Sequence, residues 1–494
     1  MLQRHRPRGE GRGRSKSGPT VFRRVASLAF LALACWLSPE ASWGASLSPK
    51  EGYELVADLM NGDRTSRRRA ADRLIESRDE TLVPALVDAL FFTPRQQRSG
   101  LLEVLETLTG EKLRSYREWV EYLGSRSDLG PKERYEEFKA ILLARIDPEY
   151  KKIIYAGAPA RIRLEEVVWG GVPVDGIPAL DNPPTQPAAE ARYLKAREKV
   201  FGVFIDGQAR AYPLRILDWH ELLNDEVGGQ PIVLSYCTLC GSGIVYATHT
   251  PAGGVYSFGT SGLLYRSNKL MFDRQTLTLW SNLTGEPVIG RLARSSIHLP
   301  VLPVTLTTWE EWRELQPDTD VLDLDRIRQQ NKGKYQFDYR PGAANRARAG
   351  VSFPVWLKSD AVDADTEIFA LRINGSPKAY PVDLILREQV VNDQFGDESL
   401  VLIGNPESGA VRAYRRGGHH FHATAEPSRV ADEVGSVWSV GEGGLVAVGS
   451  PAGERLDRFP GHIAFWFGWY AFYPQTELYT GGPGESVANR GGGG

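Results

Sequence analysis

The ten residues Val203-Phe204-Ile205-Asp206-Gly207-Gln208-Ala209-Arg210-Ala211-Tyr212 decide how most of this chain is read, because their design recurs 168 residues later as Leu371-Arg372-Ile373-Asn374-Gly375-Ser376-Pro377-Lys378-Ala379-Tyr380. Each copy sets two short β-prone runs about an Asp-Gly or Asn-Gly pair. Such pairs tolerate positive φ at both central positions, so each copy predicts a tight type I′ hairpin. The likeness extends beyond the turn. Between residues 206–234 and 374–402 a constant shift of 168 gives nine identities in 29 positions without a gap: Gly207, Ala211, Tyr212, Pro213, Asn224, Asp225, Gly228, Val233 and Leu234, each with its later counterpart. After a ten-residue deletion Trp280-Ser281 falls on Trp438-Ser439, and Trp309, Trp312, Pro317 and Thr319 fall on Trp466, Trp469, Pro474 and Thr476. The chain is internally duplicated. A first unit is expected over 165–325, a connecting segment over 326–365 and a second, degenerate unit over 366–480.

Two copies of one fold must share core and turn residues but need not share a site. By that test the glycines, tryptophans and Tyr-Pro pairs are scaffold. His220 becomes Glu388, Cys237 becomes Asn405 and Cys240 becomes Ser408, so these three are dispensable to the fold and point to a site carried by the first unit alone.

Cys237-Thr238-Leu239-Cys240 is the chain's one CxxC, and Cys35 is its only other cysteine. The run 232–236 reads as a strand that delivers Cys237 to a turn closed by Gly241 and Gly243, with a second extended run over 244–247. A thioredoxin-type site needs a helix starting at the first cysteine, whose N-terminal dipole lowers the thiol pKa. None is predicted here, so the turn reads as a metal knuckle. Two thiolates do not complete a tetrahedral zinc site. Further ligands are sought in His220, His249 or Met271, and a thioether beside two thiolates would suit copper(I). A short structural disulfide is the competing reading. The segment 258–280 is longer than its counterpart in the second unit, and its Ser261, Asn268, Asp273 and Arg274 are expected to line a pocket beside the thiols. His419-His420-Phe421-His422 reads as a solvated loop.

Residues 46–150 read as a helical block. Apolar residues recur at three- and four-residue spacing in 67–75, 82–90, 100–108 and 115–123, giving each segment one buried face. Helix pairs of this kind resemble HEAT-type repeats, which bury their faces by stacking and commonly serve as scaffolds for a protein partner. Ahead of them, residues 1–45 have the layout of a secretory signal: basic residues ending in Arg23-Arg24, an apolar run over 25–37, then small residues. That layout expects a periplasmic protein, with lipidation at Cys35 as a minor variant. The leader's eight basic and two acidic residues, net +6, account for a change in formal charge from −2 to −8 on its removal. Such a surface is not built for nucleic acid. The aromatic run 463–473 is too short to span a bilayer, and the Gly-rich end, 481–494, is expected to be disordered.

Ala211-Tyr212-Pro213, Trp219-His220-Glu221, Asn224-Asp225, Tyr236-Cys237-Thr238-Leu239-Cys240-Gly241, Phe258-Gly259-Thr260-Ser261-Gly262, Met271-Phe272-Asp273-Arg274-Gln275-Thr276 and Leu279-Trp280-Ser281 together resemble the bacterial family catalogued as domain of unknown function 3179, over roughly residues 165 to 480. The resemblance implies no reaction. Thr238 stands where the family's pattern usually has proline, which loosens the turn between the two thiols.

The expected fold class is therefore α+β, a helical HEAT-like block followed by a β-rich domain of two duplicated units. The leading functional expectation is one extracytoplasmic CxxC site that binds copper or zinc or cycles between dithiol and disulfide. A non-catalytic binding or scaffold module with a structural CxxC is the alternative. A hydrolase or transferase using the 261–274 loop is the weaker one.

Overall fold

The computed structural model describes residues 46–249, 254–343, 351, 353–449 and 453–481. The expected leader and nearly all of the Gly-rich end lie outside them.

The chain is α+β, with helices first and several sheets after. The helical block runs Pro49–Asn61, Arg64–Ser77, Val83–Phe92, Ser99–Thr109, Tyr116–Ser125, Tyr135–Leu143 and Tyr150–Ile153. Local chemistry sets the boundaries. Asp63 accepts from the Ser66 amide at one N-terminus. Ser115 and Glu118 form a reciprocal capping box at another, and Gly110 ends Ser99–Thr109 at φ 76°. The apolar faces do more than stack on one another. Leu86, Leu105 and Trp119 share a single core with Leu263, Leu264, Phe272 and Ile289. Those four residues come from a five-stranded antiparallel sheet in the order Val167–Trp169, Phe258–Tyr265, Asn268–Asp273, Leu279–Ser281, Pro287–Ile289. The block is thus packed on the sheet whose second and third strands form the longer segment of the first unit.

The duplication is visible element by element. Lys199–Ile205, Gln208–Pro213, Leu214–His220, Leu222–Val227, Gln230–Cys237 and Ser242–Ala247 recur as Glu367–Ile373, Ser376–Pro381, Val382–Glu388, Val390–Phe395, Glu398–Asn405 and Ala410–Arg415, every boundary shifted by 168. Both hairpin turns have positive φ at both central residues, 46° and 82° at Asp206-Gly207 and 49° and 84° at Asn374-Gly375. The repeated polar residues repeat their bonds. Tyr212 and Tyr380 donate to Asp225 and Asp393. Asn224 brackets the backbone of Phe258 as Asn392 brackets that of Phe421. Trp312 and Trp469 donate to Thr319 and Thr476 at 2.9 and 2.8 Å. Each of these polar groups is buried or partly buried, and an unpaired one there would cost the fold its desolvation energy.

The two units are not side-by-side modules. One nine-stranded sheet runs through Leu222–Val227, Gln230–Cys237 and Ser242–Ala247 of the first, crosses to His462–Phe465 of the second, and continues into Glu367–Ile373 and Ser376–Pro381. The crossing is the pair Gly243 and Ile463. It lies beside the CxxC turn.

Candidate functional site

The strand Gln230–Cys237 pairs antiparallel with Ser242–Ala247, the last pair being Cys237 with Ser242. The intervening turn closes at Gly241, φ 60°, where no Cβ is present to meet the Phe465 ring. No helix starts at Cys237, so the thiols are presented by a strand-turn-strand. Both are free and buried, Cys237 1% and Cys240 0% exposed. Their sulfurs are 2.9 Å apart. A disulfide bond is about 2.05 Å, while two sulfurs on one tetrahedral zinc at about 2.3 Å each would be separated by about 3.8 Å. The observed spacing falls between the two.

The second unit supplies the lid. Phe465 donates its amide to the Cys240 carbonyl. Gly468, in the helix Trp466–Tyr470, lies so close that a Cβ there would fall 2.5 Å from the Cys240 Cβ. The equivalent of Gly468 in the first unit is Glu311. That carboxylate faces the matching turn of the second unit, where it accepts from Asn405 at 2.9 Å and pairs with Arg412 at 3.1 Å. Two equivalent interfaces have diverged, one into a buried ion network and the other into a thiol site.

Cys237 faces a cavity of about 80 Å3 also lined by Glu221, Thr238, Ser261 and Lys269, with Leu239, Leu263 and Leu270 as apolar wall. Lys269 is buried in the strand Asn268–Asp273. Its Nζ donates to the Glu221 carbonyl and lies 4.0 Å from the Glu221 carboxylate. Thr238 donates to the other Glu221 oxygen at 2.8 Å, a bond that a proline at this position could not make. Burial drives the Cys237 thiol up, but the Cys240 hydrogen bond and the Lys269 ammonium outweigh it and Glu221, leaving Cys237 below the ordinary thiol value. Burial, then the Cys237 sulfur itself, pushes Cys240 well above it. Burial lowers Lys269, opposed by Glu221 and the thiols. The two cysteines are therefore unequal: Cys237 faces the cavity and is the better thiolate, while Cys240 sits behind it as donor.

Behind Cys240 is a small polar cluster. Asn268 Nδ2 donates to the Cys240 sulfur at 2.9 Å and approaches Ser242 Oγ at 3.3 Å, and Asn282 Nδ2 reaches Asn268 Oδ1 at 3.0 Å. The hairpin carrying Asn268 is held by Arg266, which pairs with Glu166 and donates to the Ala471 carbonyl of the second unit.

Of the residues expected at the site, the structure brings together Cys237, Cys240, Ser261 and Asn268. Ser261 is committed, donating to the Leu270 carbonyl at 2.5 Å and accepting from the Leu263 amide at 3.0 Å, where it braces a bulge. His220 points elsewhere. Its Nδ1 bonds the Pro178 carbonyl and its Nε2 the Tyr339 hydroxyl, both at 2.7 Å, between the rings of Phe337 and Tyr339. Burial lowers its pKa to about 4. Met271 packs in the core with Phe258 and Trp280. Asp273 accepts from Trp280 Nε1 and from the Thr276 and Thr278 amides, as Asp432 accepts from Trp438, Val434 and Ser436, so it is scaffold. Arg274 pairs with Asp175 in a separate surface groove with Glu149. His249 is exposed, in an isolated bridge with Val255. Among the described residues no group of three or more His, Cys, Asp or Glu is placed to hold a metal ion.

Glu221 and Lys269 went unrecognised in the sequence. Glu221 becomes Gln389 in the second unit, a change between copies of the kind that singled out His220. Lys269 is a lone cation in the apolar run Leu270-Met271-Phe272 and the strand before it, a weaker signal.

A family model described as a protein of unknown function, DUF3179, matches residues 174–476. The chain belongs to this family. No curated protein and no solved structure matches it. The DUF3179 region takes in both thiols, Glu221, Lys269 and Gly468 and excludes the helical block, and no helix of the described residues is long and apolar enough to cross a membrane.

Proposed function

We propose that this DUF3179 protein is an extracytoplasmic thiol–disulfide redox protein whose reactive element is the Cys237–Cys240 pair. The observation that carries the reading is the pair itself, two buried sulfurs 2.9 Å apart with the first beside the Lys269 ammonium and open to a cavity. Reactive thiols need a stabilised thiolate, and a second thiol within bonding reach makes the oxidised product a disulfide. The lost thiols of the second unit support a role in function over one in folding. Export by the leader would place the pair in a compartment where disulfides persist. Copper or zinc would have to be held by the same two sulfurs with Glu221 as a third ligand, the carboxylate that already accepts from Thr238 and faces Lys269.

The test is to bring the purified chain, without its leader, to equilibrium over a series of dithiothreitol redox ratios from both the reduced and the oxidised side until the two agree, transient opening admitting a reagent that the closed cavity does not, then quench with acid, alkylate the thiols and weigh the protein. The expected result is loss of both thiols in one two-electron step with a single midpoint. A folded protein that keeps two thiols at every ratio, or holds a stoichiometric metal that protects them, refutes the reading.

A further inference from the structure

The cavity at Cys237 limits what can oxidise it. An apolar cavity of about 150 Å3 takes one benzene ring, so one of about 80 Å3 takes a group of about three heavy atoms. Exchange with a protein or peptide disulfide needs an S–S bond in line with the attacking sulfur and room for the substituents on both ends. Cys237, 1% exposed at the bottom of such a space, has no such room. An O–O bond needs far less. We infer, resting on the redox reading above, that the oxidant of this site is a small hydroperoxide and that Lys269 is its catalytic acid.

The cavity wall fits that step. Lys269 has three N–H donors; one goes to the Glu221 carbonyl, and the side chain lines the same cavity as Cys237. Glu221, held by Thr238, fixes the ammonium in place. The leucines keep bulk water from competing for the leaving oxygen. The Cys237 thiolate attacks the distal oxygen of ROOH and the O–O bond breaks. The departing RO− takes a proton from the Lys269 ammonium and leaves as ROH, with Cys237 oxidised to the sulfenic acid. The Cys240 sulfur then attacks the Cys237 sulfur, the S–O bond breaks, and hydroxide leaves as water with the proton that Cys240 gives up. Two thiols and one hydroperoxide become one disulfide, one ROH and one water.

The experiment mixes the fully reduced chain with hydrogen peroxide or with cumene hydroperoxide and follows disulfide formation by intact mass. Hydrogen peroxide is expected to close the disulfide, with cumene hydroperoxide about tenfold slower or more because it does not fit the cavity. In Cys240→Ser the Cys237 sulfenic acid should appear as the mass of one added oxygen and be trapped by dimedone once the peroxide is removed and the chain unfolded in urea. Lys269→Met should slow the peroxide step by about 100-fold, with Lys269→Arg restoring part of it, while both variants keep the parent circular dichroism. Equal rates with the two hydroperoxides, or a peroxide rate no faster than that of the urea-unfolded chain, overturns the inference. If the dithiothreitol series forms the disulfide and peroxide does not, only this inference falls. If neither forms it, the redox reading falls as well.

Discussion

Substituting Gly468 by alanine tests the claim that the second unit forms the lid of the first unit's thiol site. The new Cβ would lie 2.5 Å from the Cys240 Cβ and 3.5 Å from its sulfur. Both Cβ atoms are fixed to backbone, so no rotamer change relieves the contact, and either the helix Trp466–Tyr470 or the CxxC turn must move. Overpacking of this kind costs about 1–3 kcal/mol, and a contact without rotamer relief belongs at the upper end. Alanine in place of glycine inside a helix returns about 1 kcal/mol. The expected net loss is about 2 kcal/mol, which at about 2.1 cal/mol/K of unfolding entropy per residue lowers Tm by about 2 °C for a chain of this size. The assay is a thermal melt by circular dichroism, beside Gly418→Ala, an exposed position with nothing within 4 Å of an added Cβ, which should melt like the parent. In a cycle with Cys240→Gly, which removes the opposing Cβ, Gly468→Ala should cost little beyond Cys240→Gly alone, as a coupling between touching residues requires. An unchanged Tm in Gly468→Ala would refute the close approach and with it the lid.

Two further predictions concern residues that hold the framework. His220 titrates near 6.5 when unfolded and at about 4 when folded, so the unfolded chain binds the extra proton first. Its neutral ring costs nothing above pH 6.5, and stability falls by up to about 1.4 kcal/mol per pH unit as pH drops from 6.5 toward 4. A urea series over that window should show a shallower slope in His220→Gln, and an identical slope would remove His220 as the cause, leaving the other buried histidine, His462. Arg412→Met should cost about 3–5 kcal/mol, because Glu442 and Glu311 are left buried without their shared partner; Arg274→Ala, which breaks a half-exposed pair with Asp175, should cost under about 1 kcal/mol in the same urea assay.

What could be read along the chain was local or repetitive. Two hairpin turns announced themselves because Asp-Gly and Asn-Gly readily accept positive φ at both central positions, and the 168-residue repeat exposed the tryptophans and Tyr-Pro pairs as scaffold. The helices appeared in their apolar spacing. Cys237 and Cys240 were legible as a pair because one copy keeps them and the other does not.

The partners of that pair were not legible, and a single residue shows why. His220 and Glu221 are adjacent, yet Glu221 adopts φ 56° at the end of the helix, and the two side chains go to different partners, His220 to Pro178 and Tyr339 and Glu221 to Thr238 and Lys269. The sequence therefore suggested the histidine, and folding delivered the glutamate. Lys269 reaches the site from 32 residues beyond Cys237, and Gly468 from the other unit altogether. The sequence by itself determined the duplication, the turns and the thiol pair, since each is a property of neighbouring residues or of a fixed shift. Only the tertiary structure decided that elements of the second copy would cover both sulfurs and that Lys269 of the first would share the cavity of one of them, because burial and charge at a site are fixed by residues far apart in the chain.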